Sequence, residues 1–382
     1  MKVLFIHAHW NSSAEYGVHQ LLAENVDPEL IDCYFIWQSD TQNPANNRGA
    51  KLANTGRNFF FDFGRDYNLS PQPSTKKRAF LSLSRLPGSL LFLLKKIKEV
   101  EPDVIYTSQA RYDLWLVSLI RPFIRTPHFL HLHYTPGPWL GSHAFKTLLK
   151  AKHIIVVSDY IRTKVIECGV PSEVVEIVFN SANIERFSIP KNGSLRQEFG
   201  WSVDTPVVVA AGRLVVGKGY PLLIEAFKKV VEEIPNAQLV ICGEGSDEEA
   251  LKQKVEKLAL SQNIKFLGYR NDVPLIYANA NVFSLPTEME PFGLVFVEAM
   301  ASGLPTVACR SGGVPEIVVD GETGLLSELG DVVALANNLL TYLKNPALAE
   351  SVGRAGKERV FHYFTPKQVS QKWAEIIYQR LR

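Results

Sequence analysis

The residues with most chemistry to offer are two glutamates, Glu290 and Glu298, set in "EMEPFGLVFVEAMASGLP" (288–305). A run this apolar is built for burial, and a carboxylate inside it needs a ligand or a partner, because an unpaired buried charge is costly. The strand pattern "NVFSLP" ends at Pro286, and Pro291 suits the first turn of a helix, where its missing N–H is no loss. That reading puts Glu290 in a strand-to-helix loop and Glu298 about two turns inside the helix. The N–H groups of Phe292, Gly293 and Leu294 then lie at the positive end of the helix dipole, an anion site suited to phosphate. Gly293 permits close backbone approach. Carboxylates would repel the phosphate itself, so they are better placed to accept hydrogen bonds from hydroxyls on either side of it. A sugar on one side and a ribose on the other meet that demand, and together they describe a sugar nucleotide.

A second stretch, "AAGRLVVGKGYPLLIEAF" (210–227), sets Gly212 and Arg213 just past a strand end. Lys218 follows five residues on, before the helix that Tyr220-Pro221 opens. Two cations at such a turn suit a diphosphate, Arg213 by its planar fork and Lys218 as a point charge. A Walker A loop is excluded, since Gly217-Lys218-Gly219 lacks both the upstream glycine spacing and the following Ser/Thr. A full G-x-G-x-x-G is absent too; "GEGSDEE" (243–249) offers only its first half.

These residues need a scaffold. At 382 residues the chain has room for two domains of ordinary size. With 46% hydrophobic and 21% charged residues, it has the proportions of a soluble globular protein with a full core. The net charge of +2, mildly basic in front and mildly acidic behind, is too weak a contrast to imply a nucleic-acid partner. Cys33, Cys168, Cys242 and Cys309 are scattered singly, which argues against a disulfide frame or a zinc site. The start, "MKVLFIHAHW", is followed by no cleavage pattern, and no run reaches the ~18 apolar residues of a membrane span, so a cytoplasmic protein is expected.

Short β-branched runs alternate with helical patterns, the mark of parallel sheets covered on both faces. Strands are expected at 2–8, 30–37, 104–108, 128–134 and 153–158, with helices at 110–124 and 159–168. A second series begins at "PVVVAAGRL" (206–214) and continues at 237–243, 263–268, 281–286 and 305–309. The fold class is α/β, two doubly wound units in series, with the break near "SIPKNGSLRQ" (188–197). Residues 38–80, with the aromatic knot "NFFFDFGRDY", are too long for a plain loop and read either as an extra surface hairpin or short helix or as a substrate-facing insertion. A terminal helix starts at Thr365-Pro366 and carries Val369, Trp373, Ile376 and Ile377 on one face.

With "GRLVVGKG", "LVICGEGS" and "FLGYRNDVPLIYANANVFSLPTEMEPFGLVFVEAMASGLPTVACRSGGVPEIVVDGETGLL", the chain from about 205 to 365 resembles the C-terminal domain of a retaining glycosyltransferase of the GT4 class. The resemblance implies a GT-B fold of two facing Rossmann-like domains. It implies an acceptor-side domain at 1–190, a nucleotide-sugar-binding domain at 191–363 and a helix, 364–382, returning to the first. Glu290 would bind donor-sugar hydroxyls and Glu298 the ribose. Arg213 and Lys218 would hold the diphosphate with the amides of Gly293 and Leu294, and backbone around Tyr269 and Arg270 would flank the base. In the front half "HFLHLHYTPG" (128–137) resembles the strand ending in a catalytic-site histidine, the place of His133. His131 shares its face by strand alternation, so either ring is a candidate for the cleft.

Two departures stand out. Family members carry a Gly-Gly pair after the first strand, where this chain has Ser12-Ser13; Ser13 would then face the donor, with Gly17 compensating through a shifted loop. Asn180-Ser181-Ala182-Asn183 replaces the usual Asn-Gly-Val-Asp. The implied reaction is metal-independent transfer of a hexosyl unit, with retention, from a nucleoside diphosphate sugar (a UDP-sugar such as UDP-glucose first) to a saccharide or lipid-linked saccharide. No cofactor and no metal are expected, since no Asp-x-Asp sits at the donor motifs. The alternatives are a non-catalytic donor-binding or scaffolding member and a sugar-nucleotide epimerase. Residues 76–98 interleave Lys76, Lys77, Arg78, Arg85, Lys95, Lys96 and Lys98 with leucine and phenylalanine, a pattern for peripheral contact with an anionic membrane. The plainer expectation there is a covering helix over 88–99, with Pro87-Gly88 interrupting any longer one.

Overall fold

The computed structural model describes residues 1–8, 14–39, 57–64 and 75–382. Among them run two all-parallel sheets. The first holds β1 (Lys2–His7), β2 (Asp32–Gln38), β3 (Asn58–Phe61), β4 (Val104–Ser108), β5 (His128–Leu132), β6 (His153–Val156) and β7 (Val175–Ile177), in the order β3-β2-β1-β4-β5-β6-β7. The second holds β8 (Val207–Ala211), β9 (Gln238–Cys242), β10 (Ile264–Phe266), β11 (Val282–Leu285), β12 (Thr306–Cys309) and β13 (Gly324–Ser327), in the order β10-β9-β8-β11-β12-β13. Every residue of β8, β9, β11 and β12 is buried, as strands covered on both faces must be. Each order reverses once, between β1 and β4 and between β8 and β11. In such sheets the crevice at the carboxyl ends beside the reversal is where ligands bind.

The chain forms two compact units, residues 1–179 with 366–382, and residues 180–365. The division falls at Asn180, ahead of the break expected at 188–197. The reason is packing: the 3-10 turn Ile184–Phe187 buries Ile184 and Phe187 in the second unit, with Phe187 against Tyr277 at 5.8 Å between ring centroids. Arg186 also donates to the Asn271 carbonyl at 2.5 Å. The helix Pro366–Leu381 belongs to the first unit, with Val369, Trp373, Ile376 and Ile377 buried on one stripe. Its Trp373 ring lies 5.8 Å from both Phe5 of β1 and Tyr106 of β4.

Three local expectations are corrected. The aromatic knot forms an edge strand, β3, paired in parallel with β2, rather than a hairpin or short helix, while the rest of 38–80 lies mostly outside the described residues. Pro87 does not stop its helix, which runs unbroken from Thr75 to Val100. An interior proline costs about 3 kcal/mol. Buried Leu93, Ile97 and Val100, with partly buried Leu86 and Leu90, seat the helix on β1, β2 and β4 residues and offset that cost. Conversely the helix expected over 110–124 ends at Ile120 and gives way to a 3-10 turn at Arg121–Phe123, because Pro122 has no N–H to carry the helical ladder on.

Candidate functional site

Four loops of the second unit meet at the reversal between β8 and β11. The turn after β8 holds Gly212, Arg213, Lys218 and Gly219, and the loop after β11 holds Thr287 to Gly293. The Gly217 carbonyl accepts from the Glu288 N–H at 2.8 Å and the Thr287 hydroxyl at 3.0 Å, stitching the two together. Gly219 lies in the left-handed region (φ 74°), and a Cβ there would stand 1.8 Å from the Pro286 carbonyl oxygen, so only glycine allows this approach. The Tyr220 hydroxyl donates to the Gly212 carbonyl at 3.0 Å. From the loop after β9, Glu244 accepts the Leu214 N–H on its carbonyl at 2.9 Å. From the loop after β12, Gly313 donates to the Glu290 carbonyl at 2.8 Å and the Ser311 hydroxyl to the Thr287 carbonyl at 2.6 Å. Ser311 and Gly313 carried no sequence signal of their own, because what they contribute is support for the loop holding Glu290.

At the centre, the Lys218 ammonium donates to the Glu290 carboxylate at 2.7 Å, with Glu290 only 7% exposed. The two were expected to act on different parts of a ligand, and they are brought into one ion pair. Neither charge is left alone in a poorly solvated turn. Arg213 is exposed, and its guanidinium makes no ion pair among the described residues. The cluster therefore offers one free cation and a second held by a carboxylate.

The helix carrying Glu298 starts at Leu294, not at Pro291. Gly293 is its N-cap, in the left-handed region at φ 106°, and a Cβ there would come within 2.5 Å of the Phe296 ring. The Phe292 side chain packs in the core, edge-on against Phe364 at 5.8 Å. Among the described residues none accepts a hydrogen bond from the N–H of Gly293 or Leu294. Those two amides stand at the helix start with its dipole behind them, three residues later than the start the sequence suggested.

Glu298 lies one turn inside the helix, half-buried, with its carboxyl group below the surface. Burial pushes that carboxyl up to about 7, and Arg186 opposes the rise. A group whose folded value is raised binds more protons in the folded state, so it favours folding fully below its unfolded value near 4.5 and loses that contribution as pH rises to 7. The expected result is a wild-type stability that declines over this window, and a Glu298→Gln variant that is flatter across it. Urea titrations at pH 5 and pH 8 check this: the variant should be the more stable at pH 8, by on the order of 2 kcal/mol. Parallel pH profiles would overturn the assignment.

Tyr269 is exposed, and its N–H donates to a Glu244 carboxylate oxygen at 3.3 Å. The Arg270 guanidinium is bound to Asp272 at 2.7 Å and Glu198 at 2.7 Å, partners that raise it further above its usual range. The Arg270 side chain is thus committed to these carboxylates, while the Tyr269 side chain stays exposed. Gly17, expected in a shifted loop, sits inside the helix Ala14–Asn25 with open space where its Cβ would be, and Ser13 lies outside the described residues.

In the first unit His133 stands just past the end of β5, and Gln109 accepts its N–H at 2.6 Å. Burial brings its imidazole down to about 3, so the ring is neutral. A neutral ring can contact a hydroxyl but supplies no charge. His131 shares its face, ring centroids 4.1 Å apart, but is fully buried and bonded to His19 and Tyr106. His133 is thus the one at the sheet's carboxyl edge. His19, unsuspected in an apolar helix stretch, touches both.

The arrangement can be set beside known proteins. The family model for glycosyl transferases group 1 matches residues 192–359, and that for glycosyltransferase family 4 matches 52–186. The N-acetyl-alpha-D-glucosaminyl L-malate synthase of Bacillus anthracis is 28% identical over 229 residues, 60% of each chain. A GDP-mannose-dependent phosphatidylinositol monomannoside mannosyltransferase of Mycolicibacterium smegmatis is 30% identical over 235 residues, 59% of this chain and 61% of that one. These matches span about three fifths of the relatives' length. The crystal structure of Anabaena HepE in complex with UDP and glucose superposes with a TM-score of 0.78 at 23% identity, covering 99% of this chain and 100% of that one. Sucrose-phosphate synthase of Thermosynechococcus elongatus gives 0.80 at 20% identity, covering 99% and 98%. Two parallel Rossmann-like sheets of this order are the GT-B fold, and the chain belongs to the group 1 glycosyltransferases of the GT4 class.

Proposed function

We propose that the chain transfers a hexosyl unit from a nucleoside diphosphate sugar, first among them a UDP-sugar, to a hydroxyl of a saccharide or lipid-linked saccharide, with retention and without a metal. The observation that carries this reading is the Lys218–Glu290 pair at the reversal of the sheet, beside exposed Arg213 and the open amides of Gly293 and Leu294. Donor arrival exchanges one anion for another: Lys218 passes from Glu290 to the diphosphate, and Glu290 is released to accept from a sugar hydroxyl. As the glycosidic bond breaks, negative charge grows on the leaving phosphate. Arg213, Lys218 and the two amides then bind it more tightly than in the ground state, which is what speeds the step. They do the work a divalent ion does elsewhere. Glu298 accepts from the ribose, and neutral His133 contacts a sugar hydroxyl. In the family picture the leaving phosphate takes the acceptor's proton on the same face. HepE was crystallised with UDP and with glucose, and the relatives named above are glycosyl-transferring enzymes by name, which supports the substrate class.

The test is a thermal-shift screen of UDP-glucose, UDP-N-acetylglucosamine and GDP-mannose, followed by product analysis. A donor at 100 times its Kd should stabilise by about 2.7 kcal/mol. Transfer or slow donor hydrolysis should be absent in Glu290→Ala. Binding with no turnover would favour the scaffolding alternative, isomerised donor the epimerase, and full activity in Glu290→Ala would defeat the site assignment.

For the acceptor, the helix Thr75–Val100 exposes Phe80, Leu83 and Leu91 at 70%, 62% and 70% beside basic residues, while no described helix is long and apolar enough to cross a membrane. Peripheral contact with anionic lipid through 76–98 brings the protein to a lipid-linked acceptor. Flotation with phosphatidylglycerol vesicles should weaken in Leu83→Asp/Leu91→Asp and at high salt. Indifference to both removes this part of the reading.

A further inference from the structure

The first unit carries a cavity that the proposed reaction does not use. It lies at the amino ends of β5 and β6, the edge of the sheet opposite to the one where His133 stands. Its volume is about 540 Å³, within the ordinary range of a small-molecule site. Arg121 and Arg125 reach it from the segment after the helix Arg111–Ile120, and Lys150 and Lys152 from the segment after the helix Gly141–Leu149. His128, the first residue of β5, and His153, the first of β6, complete the charged and titratable part of the wall. We propose that this cavity binds a phosphoryl-bearing polyanion, with two or more negative charges, at a site separate from the donor turn of the second unit.

Charge is the first argument. Among the described residues, Arg121, Arg125, Lys150 and Lys152 make no ion pair, and no aspartate or glutamate lines the cavity. In a chain with a net charge of only +2, composition alone would not gather unpaired cations around one hollow. The rings in the wall sense them. Burial first, then the charge of Arg121, brings the His128 imidazole down to about 3. Burial, followed by Arg380, Lys152 and Arg121, lowers His153 as well. Helix carbonyl ends draw cations, and two helices do end here, at Ile120 and Leu149. Each end offers only roughly half a negative charge, so most of the positive charge stays unbalanced.

The kind of donor is the second argument. Arginines present planar forks that match phosphoryl oxygens, and lysines add point charges. Arg121 is anchored by donating from Nη1 to the Thr126 carbonyl at 2.6 Å, which leaves its other N–H groups for a ligand. The Thr107 hydroxyl, 2.8 Å from Nε2 of His128, fixes that ring in the wall. A neutral saccharide would leave these charges unanswered, and a metal cation would be repelled. Position is the third argument. From His128 to His133 the strand rises roughly 16 Å, so a ligand here does not compete for the ring given to the sugar. Filling the cavity relieves repulsion among its cations and therefore stabilises the first unit by mass action.

The experiment titrates the full chain with inorganic pyrophosphate in a calorimeter. Alongside it, flotation on phosphatidylcholine vesicles with and without phosphatidic acid separates a lipid headgroup from a soluble ligand. The expected result is pyrophosphate binding that weakens by about 10–100-fold in Arg125→Gln/Lys152→Gln. Both side chains are exposed and unpaired, so the variant should keep the native circular dichroism. Lys146→Gln, an exposed position outside the lining, should bind as the native chain does. Arg213→Ala removes a cation from the donor turn and should leave this binding in place. Hydrogen exchange of β5 and β6 amides should slow with pyrophosphate. Flotation that needs phosphatidic acid and fails in the double variant, without pyrophosphate binding, keeps the site and makes its ligand a headgroup. Binding of neither probe, or binding undiminished in the double variant, overturns the site. So does pyrophosphate binding that only Arg213→Ala abolishes.

Discussion

Arg213→Ala should lower kcat for sugar transfer by about 10²–10³-fold while leaving the stability of the chain within about 0.5 kcal/mol of wild type. The two halves of this expectation come from the same fact. The guanidinium is exposed and makes no ion pair among the described residues, so the fold gains nothing from it. Its place just past β8, in a turn locked by the Gly217 and Leu214 hydrogen bonds, sets it at the sheet reversal, where the proposed diphosphate would lie. A donor contact strengthened only in the transition state shows in kcat more than in KM. Arg213→Lys keeps the charge but loses the planar fork, and should recover part of the rate. Steady-state kinetics with the donor found by thermal shift, together with melts of both variants, decide the matter. Near-normal turnover in Arg213→Ala would mean that Lys218 and the helix amides suffice.

The second large effect is on folding. Trp373→Ala should destabilise the first unit by about 3–5 kcal/mol. Trp373 is fully buried, with its ring 5.8 Å from both Phe5 and Tyr106, so truncation opens a cavity beneath the centre of the sheet. It also loosens a helix that closes the chain's path back to the first unit, where Tyr378 donates to the Leu30 carbonyl at 2.8 Å. Two units need not unfold together, so a single overall midpoint is the wrong readout. Hydrogen exchange of β1 and β4 amides reports on the first unit directly. Protection should fall there and hold in β8 and β11. A loss below about 1 kcal/mol would show that the C-terminal helix is peripheral to the core.

How much of this was legible beforehand varies with the range of the interaction. Strands such as β8 and β11 were readable because residues buried on both faces must be apolar and β-branched in an unbroken run. The terminal helix announced itself by the spacing of Val369, Trp373, Ile376 and Ile377. The short strands β7 and β13 escaped, three and four residues long with no alternation to mark them. Pro87 misled because its local cost is visible in sequence, while the core contacts of Leu93 and Ile97 that outweigh it are not.

The candidate site divides in the same way. Residue type and spacing were enough to single out Arg213, Lys218, Glu290 and Glu298, because anion binding needs cations and amides at a strand-to-helix turn and hydroxyl recognition needs acceptors nearby. Sequence alone also fixed the alternation that put His131 and His133 on one side of β5. The tertiary structure alone decided that Lys218 and Glu290 satisfy each other, that Phe292 belongs to the core, and that His19 joins the two histidines from a helix more than a hundred residues away. Such pairings depend on which strand ends the sheet order brings side by side, and no local pattern along the chain encodes that distance.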